Sequence, residues 1–336
     1  MSITIKDIAR RAGVSHATVS LVLSQDPRIT AATRAKVWRA ARRLNYVPNL
    51  AARNLRRGES RLLGFVVNDI ANPFYGLMVQ SAEAAALERG YQLLLADSQW
   101  DAAREVAAVE KLVSLQTRGV LLCGTEQTDR SLALLNRVRL PVIVVDTCPA
   151  SYQGAFVGND VVAAGRVAAA HLLEIGCRRP VFLTAARSLQ GFSGFVQLRR
   201  GFIETLRQRR VPRLRQAVVA GGLTVEDGRA AFHRLRAVES TVDGVFCAND
   251  LCALGVLAAA DEAGLKVGRD LAVMGIDDLP ISCVPRISLT SIRQPSAQIA
   301  RTAMQVLIDS LERGQPPRLR QTFLPELVVR QSTRRR

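Results

Sequence analysis

TIKDIARRAGVSHATVSLVL, residues 4–23, decides how the amino-terminal end folds. Thr4 can cap a helix whose apolar positions Ile5, Ile8 and Ala9 share one face. Gly13 ends that helix, because only glycine enters the left-handed conformation cheaply. Val14 fills the gap between two helices. Ser15 caps a second helix, with Val19, Val22 and Leu23 turned inward at i, i+3 and i+4. Two short helices joined by a tight glycine turn predict a helix-turn-helix. A third helix, TAATRAKVWRAARRLNY (30–46), starts at Thr30 and is expected to lay Ala35, Trp38, Ala41 and Leu44 over the first two.

The next stretch, NYVPNLAARNLRRGES (45–60), reads as a hinge. Pro48 blocks continuation of the third helix. Asn49 can cap a short helix that Gly58 ends. Such a helix is marginal alone in water. Small Ala51 and Ala52, with Leu50 and Leu55, suit it to folding on binding, beside a symmetry mate.

Charge points the same way. The 336 residues carry 46 basic and 29 acidic groups, a net of +17, and residues 1–61 hold 13 of the basic groups against three acidic ones. A small module holding most of the excess reads as a polyanion-binding head on a more neutral body. With 48% hydrophobic residues the chain is not disordered. No apolar run is long enough to span a membrane, and the amino terminus reads as no secretory signal, so a cytoplasmic protein is expected. Cysteines at 123, 148, 177, 247, 252 and 283 form no metal-ligand spacing and read as buried reduced thiols. Neither cofactor nor metal is expected.

From residue 61 onward, short apolar runs alternate with helical segments. LLGFVV (62–67), YQLLLA (91–96), GVLLC (119–123) and PVIVVD (141–146) read as buried strands of one half. PVFLT (180–184), AVVAG (217–221), GVFCA (244–248) and LAVMGI (271–276) read as those of a second. The fold class is therefore an all-α head with a hinge helix, joined to an α/β core of two doubly wound parallel-sheet subdomains. Ligands of such lobes bind beyond the carboxyl ends of the strands. Asn68 follows the first strand, Phe74 and Tyr75 open the next helix, Asp146 ends the fourth strand, and Asn249 and Asp277 follow strands of the second half. Acidic and amide groups beside an aromatic suit a hydroxylated ligand such as a sugar. Asn249 and Asp250 serve equally as helix caps.

The chain resembles the LacI/GalR family of bacterial transcription regulators. The resemblance rests on TIKDIARRAGVS–TVS, RITAATRAKVWRAARRLNYVPN and the AARNLR hinge, and continues through NPFY (72–75), AND (248–250), GIDD (275–278), LTSIRQP (289–295) and PELVVRQST (325–333). It implies that the second helix enters the major groove of double-stranded operator DNA. His16, Ala17 and Leu21 would then meet base edges, while Ser15, Thr18 and Ser20 cap, touch phosphate or support, next to Thr4. It also implies that the hinge, with Asn49 and Ala52, inserts Leu55 into the minor groove at a kink. The implied divisions are a head at 1–46, a hinge at 47–60 and a periplasmic-binding-protein-like core at 61–336. Within the core, 61–158 with 289–320 form one subdomain and 159–288 with 321–333 the other.

Two positions depart from the family pattern. Three residues before the Gly201–Phe202 pair, where the family has a basic residue that holds effector, stands Leu198. Leu223 stands where some relatives have a tryptophan. The pocket is thus more apolar than a sugar site, or has lost its effector. No GxSxG, P-loop or HExxH motif occurs, and His171 and His233 sit inside helices, so no enzyme is read here. The expectation is a homodimeric repressor on a palindromic operator, controlled by a small-molecule effector, a sugar or related metabolite. The competing readings are a ligand-independent DNA-binding regulator with a degenerate pocket and a cytoplasmic small-molecule binding protein.

Overall fold

The computed structural model describes residues 3–23, 26–46, 60–125, 127–149, 151–212 and 216–334. Two compact units divide the chain, 1–60 and 61–336. The expected hinge positions Asn49, Ala52 and Leu55 lie outside the described residues.

The first unit contains α1 (Ile5–Ala12), α2 (His16–Leu23) and α3 (Ala31–Arg43). Gly13 takes φ +58°, and the Val14 N–H bonds the Ala9 carbonyl, so the chain reverses within one turn. The Thr30 hydroxyl caps α3 by accepting from the Thr33 N–H. The core is Ile8, Ala9, Ala12, Val19 and Val22 against Val37, Ala40 and Ala41. The inward stripe of α3 keeps the expected Ala41, with Leu44 packed against it, and adds Val37 and Ala40. Ala35 is exposed and Trp38 only half-buried. The small Ala40–Ala41 pair lets α3 close on its neighbours, and Trp38 packs at the rim.

The second unit has two sheets. In the first lobe the strands are β1 (Leu62–Val67), β2 (Gln92–Asp97), β3 (Val120–Leu122), β4 (Val142–Asp146) and β5 (Phe156–Asn159). Their helices are α4 (Pro73–Glu88), α5 (Ala102–Ser114) and α6 (Thr128–Arg137). In the second lobe, α7 (Val161–Glu174) leads to β6 (Pro180–Thr184), α8 (Ser193–Gln208), β7 (Val218–Ala220), α9 (Val225–Val238), β8 (Gly244–Cys247), α10 (Asp250–Glu262), β9 (Ala272–Asp277) and β10 (Thr290–Arg293). The chain then runs through α11 (Ser296–Arg313), β11 (Arg320–Phe323) and β12 (Glu326–Val328). Sheet orders are β11-β5-β4-β3-β1-β2 and β12-β10-β9-β8-β6-β7. All pairings are parallel except β10 with β12. Apolar clusters cover both faces of each sheet, which explains why the central strands are continuously apolar.

The crossings between lobes fall later than expected. Thr290–Arg293 pairs with β9 in the second sheet, so the second crossing is at 294–295 rather than near 289. Leu289 and Ile292 are fully buried and need both faces of that sheet covered. Arg320–Phe323 pairs with β5 in the first sheet, so the return to the second lobe follows residue 323 rather than 320. The edge strand β11 and its neighbour β5 carry no apolar run long enough to be read locally. β11 alternates exposed and half-buried residues.

Glycines set one close approach that shapes the site. A Cβ on Gly165 would meet the Leu198 carbonyl at 2.1 Å, and one on Gly201 would meet the Val162 carbonyl at 2.0 Å. Helices α7 and α8 therefore touch backbone to backbone, which brings Val161 and Leu198 to the same wall of the cleft between the lobes.

Candidate functional site

In the first unit, the amino-terminal turn of α2 faces solvent. The Ser15 hydroxyl accepts from the Thr18 N–H at 3.0 Å and lies 2.8 Å from the Thr18 hydroxyl. His16 and Ala17 are exposed, while Thr18, Ser20 and Leu21 are half-buried. The Thr4 hydroxyl and N–H both donate to the Asp7 carboxylate, at 2.7 and 2.9 Å. Those bonds hold the Asp7 carboxyl below its ordinary range. Asp26 is bonded by the Arg28 guanidinium and held down at about 2. Both carboxylates are engaged locally, whereas Arg10, Arg11, Lys36, Arg39, Arg42 and Arg43 are exposed. A helix N-terminus within a basic surface suits a phosphate backbone.

In the second unit, the cleft lies at the carboxyl ends of both sheets and encloses about 590 Å³, mouth included. The sequence-selected residues Phe74, Tyr75, Asp146, Leu198, Leu223, Asn249 and Asp277 all line it. Asn68 does not; its amide donates to the Gly124 carbonyl and its oxygen accepts from Ser98. The Asn68 carbonyl accepts from the Trp100 N–H, so Asn68 braces the loop that carries Trp100.

Trp100 escaped the sequence reading, because it sits in a loop with no periodicity, at φ +61°. It packs against the apolar clusters of both lobes. Its ring lies 6.1 Å from Tyr75, 5.1 Å from Phe192 and 5.5 Å from Phe195. Aromatic rings thus run across the cleft from α4 to the start of α8. Gln294, also missed, belongs to the second crossing. Its side-chain N–H donates to Asp277 Oδ1 at 2.7 Å.

The polar groups differ in what they can do. Asn249 accepts from the Cys252 N–H and donates to the Leu223 carbonyl, both at 2.8 Å. It caps α10 and holds Leu223 against the cavity. Asp250 lies off the cavity and accepts from the Leu279 N–H and the Ser282 and Ser291 hydroxyls. Burial still pushes its carboxyl up to about 6. Burial likewise raises Asp146 to about 6, against hydrogen bonds from Asn159 and Tyr75. Burial raises Asp277 well above the carboxylate range, helped by the charge of Asp250. Three buried polar atoms of the lining have no partner: Asp277 Oδ2, Gln294 Oε1 and Trp100 Nε1. Among the described residues no lysine or arginine lines the cavity, and Arg187 and Arg199 are exposed elsewhere. The arrangement can bind a flat or apolar molecule and hydrogen-bond it at one end. It holds no nucleophile–base pair.

Comparison with known proteins agrees with both halves. A model of the bacterial regulatory proteins of the lacI family matches residues 4–49, and one of periplasmic binding protein-like domains matches residues 169–333. The HTH-type transcriptional repressor PurR of Mannheimia succiniciproducens is 30% identical over 333 residues, 99% of each chain. The lac repressor dimer bound to operator and the anti-inducer ONPF superposes with a TM-score of 0.83 at 25% identity, covering 99% of both chains. A transcriptional regulator CelR–cellobiose complex has a TM-score of 0.73 at 27% identity, covering 98% of this chain and 99% of that one. On the full-length likeness to a repressor, the matched head and the two-lobed body, the chain belongs to the lacI family of bacterial regulatory proteins.

Proposed function

We propose that this regulator represses transcription as a homodimer on a near-palindromic operator, and that a small molecule in the interlobe cleft sets its DNA affinity. One observation carries the reading: the cleft is lined from both lobes, by Asp146 and Trp100 of the first and Phe192 and Asp277 of the second. A ligand there contacts both lobes and shifts the balance between their arrangements. On the DNA side, His16, Ala17 and Leu21 read base edges. Thr4, Ser15, Thr18 and Ser20 position α2, and the hinge residues Asn49, Ala52 and Leu55 act at the operator centre. The protein acts in the cytoplasm; among the described residues no helix is long and apolar enough to cross a membrane.

The lined cavity supports an effector-binding regulator over one with a degenerate pocket. Leu198 and Leu223 are joined there by buried acceptors that have no partner, and such groups are costly unless something bonds them. A gel shift with DNA from the gene's own upstream region, with and without magnesium, tests the DNA half. Retarded and uncut DNA is expected. Thermal-shift screening of a metabolite library tests the effector half, since a cleft ligand stabilises the body by mass action. A library without a single stabilising compound that also changes operator affinity would overturn it.

A further inference from the structure

The cleft is chemically one-sided. Asp277 is buried, and its Oδ1 accepts from the Gln294 amide at 2.7 Å. Its Oδ2 has no partner, and neither has Gln294 Oε1. The Gln294 amide spends one of its two N–H groups on Asp277, and the two atoms left without any partner at this end are both oxygens. The Asn72 side chain also bonds the Asp277 carboxyl, and its own oxygen accepts from the Phe74 N–H. Asp146 belongs to the opposite lobe, close enough for its charge to act on Asp277. The Asn249 amide and the Tyr75 hydroxyl are held by Leu223 and Asp146. The one buried donor of the lining without a partner is Trp100 Nε1. Around these groups stand the faces of Trp100, Phe192 and Phe195.

From this geometry we infer that the cleft takes a flat organic cation, an aromatic ring bearing a protonated amine or amidine. The inference rests on the reading of the cleft as the effector site and names the class of ligand. The cationic N–H groups would donate to Asp277 Oδ2 and Gln294 Oε1, while Asp146 supplies a second negative charge. The ring would lie among Trp100, Phe192 and Phe195, whose faces attract cations and flat apolar groups alike. An anion is disfavoured, because it would face two carboxyls with no lysine or arginine in the lining. The lining atoms without any partner are two carboxyl or amide oxygens and one indole N–H, a set that a ligand rich in N–H groups satisfies more fully than a polyol. In the ligand-free cleft burial favours the protonated form of both carboxyls, and a cation between them would favour their ionised form.

The test uses the full chain carrying Trp38→Phe, which leaves Trp100 as the single tryptophan reporter. Fluorescence titrations compare phenethylammonium and benzamidine with neutral 2-phenylethanol, anionic 3-phenylpropionate and glucose. The cations should bind at least tenfold more tightly than 2-phenylethanol, and 3-phenylpropionate should be weaker still. Asp277→Asn should remove most of that preference while keeping the affinity for 2-phenylethanol. Asp146→Asn should reduce it as well, so the conclusion does not hang on one variant's folding. Equal binding of neutral and cationic probes, no binding of either cation, or a preference that survives both substitutions would overturn the cation. Tight glucose binding that also changes operator retention would overturn it too, while leaving the cleft as the effector site. The effector reading itself fails only on the library screen.

Discussion

The side-chain amide of Gln294 donates to Asp277 Oδ1 at 2.7 Å, tying the end of β9 to the second crossing between the lobes. The same turn is braced on its other side. Asp278 receives Arg330 at 2.6 Å and Arg293 at 2.8 Å, and its N–H donates to the Ser291 hydroxyl. Asp277 and Asp278 hold φ values of +122° and +53°. Such conformations cost about 1–3 kcal/mol each and persist where surrounding bonds over-determine them. A ligand that competes for Asp277 therefore acts directly on a segment joining the two lobes.

Asp277→Ala should abolish the effector response and leave operator affinity intact. Operator retention is measured with and without a compound taken from the thermal-shift screen. An unchanged response would remove Asp277 from the site.

Trp100→Ala should loosen the contact between the lobes. The half-buried ring touches both cores, so its removal should destabilise the body by about 2–4 kcal/mol in denaturant titrations. Small-angle scattering on the same variant should show a wider spread of lobe arrangements.

Asp146→Asn should stabilise the ligand-free protein above pH 6. Burial raises this carboxyl from its ordinary 3.8 to about 6 in the folded state, so ionising it there is unfavourable. Below pH 4 it is protonated in folded and unfolded chains alike and the substitution removes no charge. As pH rises through 4 to 6 the wild-type protein loses at most about 3 kcal/mol at this site. Melting curves of the two proteins should diverge across that window, with the variant higher at pH 7.5. A gap that is equal at pH 4 and pH 7.5 would exclude this cause.

Gly201→Ala should destabilise the second lobe by about 2–4 kcal/mol, since its Cβ would fall 2.0 Å from the Val162 carbonyl. Backbone cannot yield there without separating α7 from α8. Alanine at the exposed Gly176, where no atom lies within 4 Å, meets no such clash and strains only its left-handed φ of +87°. Equal losses at the two sites would argue against the close helix contact.

His16→Ala should leave folding unchanged, because the side chain is exposed. It should cost about 1–3 kcal/mol on the preferred operator and relax preference at one symmetric base-pair position. An equal drop on all sequences would make His16 a phosphate contact. For the proposed dimer, about 6–10 phosphate contacts give a slope of log K against log salt of about −5 to −9. A slope near zero would mean that the basic head does not track phosphates.

Periodicity and local chemistry determined the elements of this protein from the sequence alone. The helix-turn-helix follows from Ser15, Gly13 and the inward Val19 and Val22, each acting within a few residues. The central strands follow because a strand covered on both faces must be continuously apolar, as Leu62–Val67 and the run 142–145 are. Asp146, Asn249 and Asp277 were legible for the same reason, since cleft residues of such lobes stand just past strand ends. The tertiary structure alone decided what arises between segments distant in the chain. It put Trp100, from an aperiodic loop, against Phe192 of the other lobe, and Gln294 against Asp277. It assigned Asn68 to bracing and Asn249 to capping, because an amide's role depends on which carbonyl comes within reach. It moved the crossings to 294–295 and beyond 323, because the sheet a strand joins is decided by its neighbour's hydrogen bonds rather than by its own side chains.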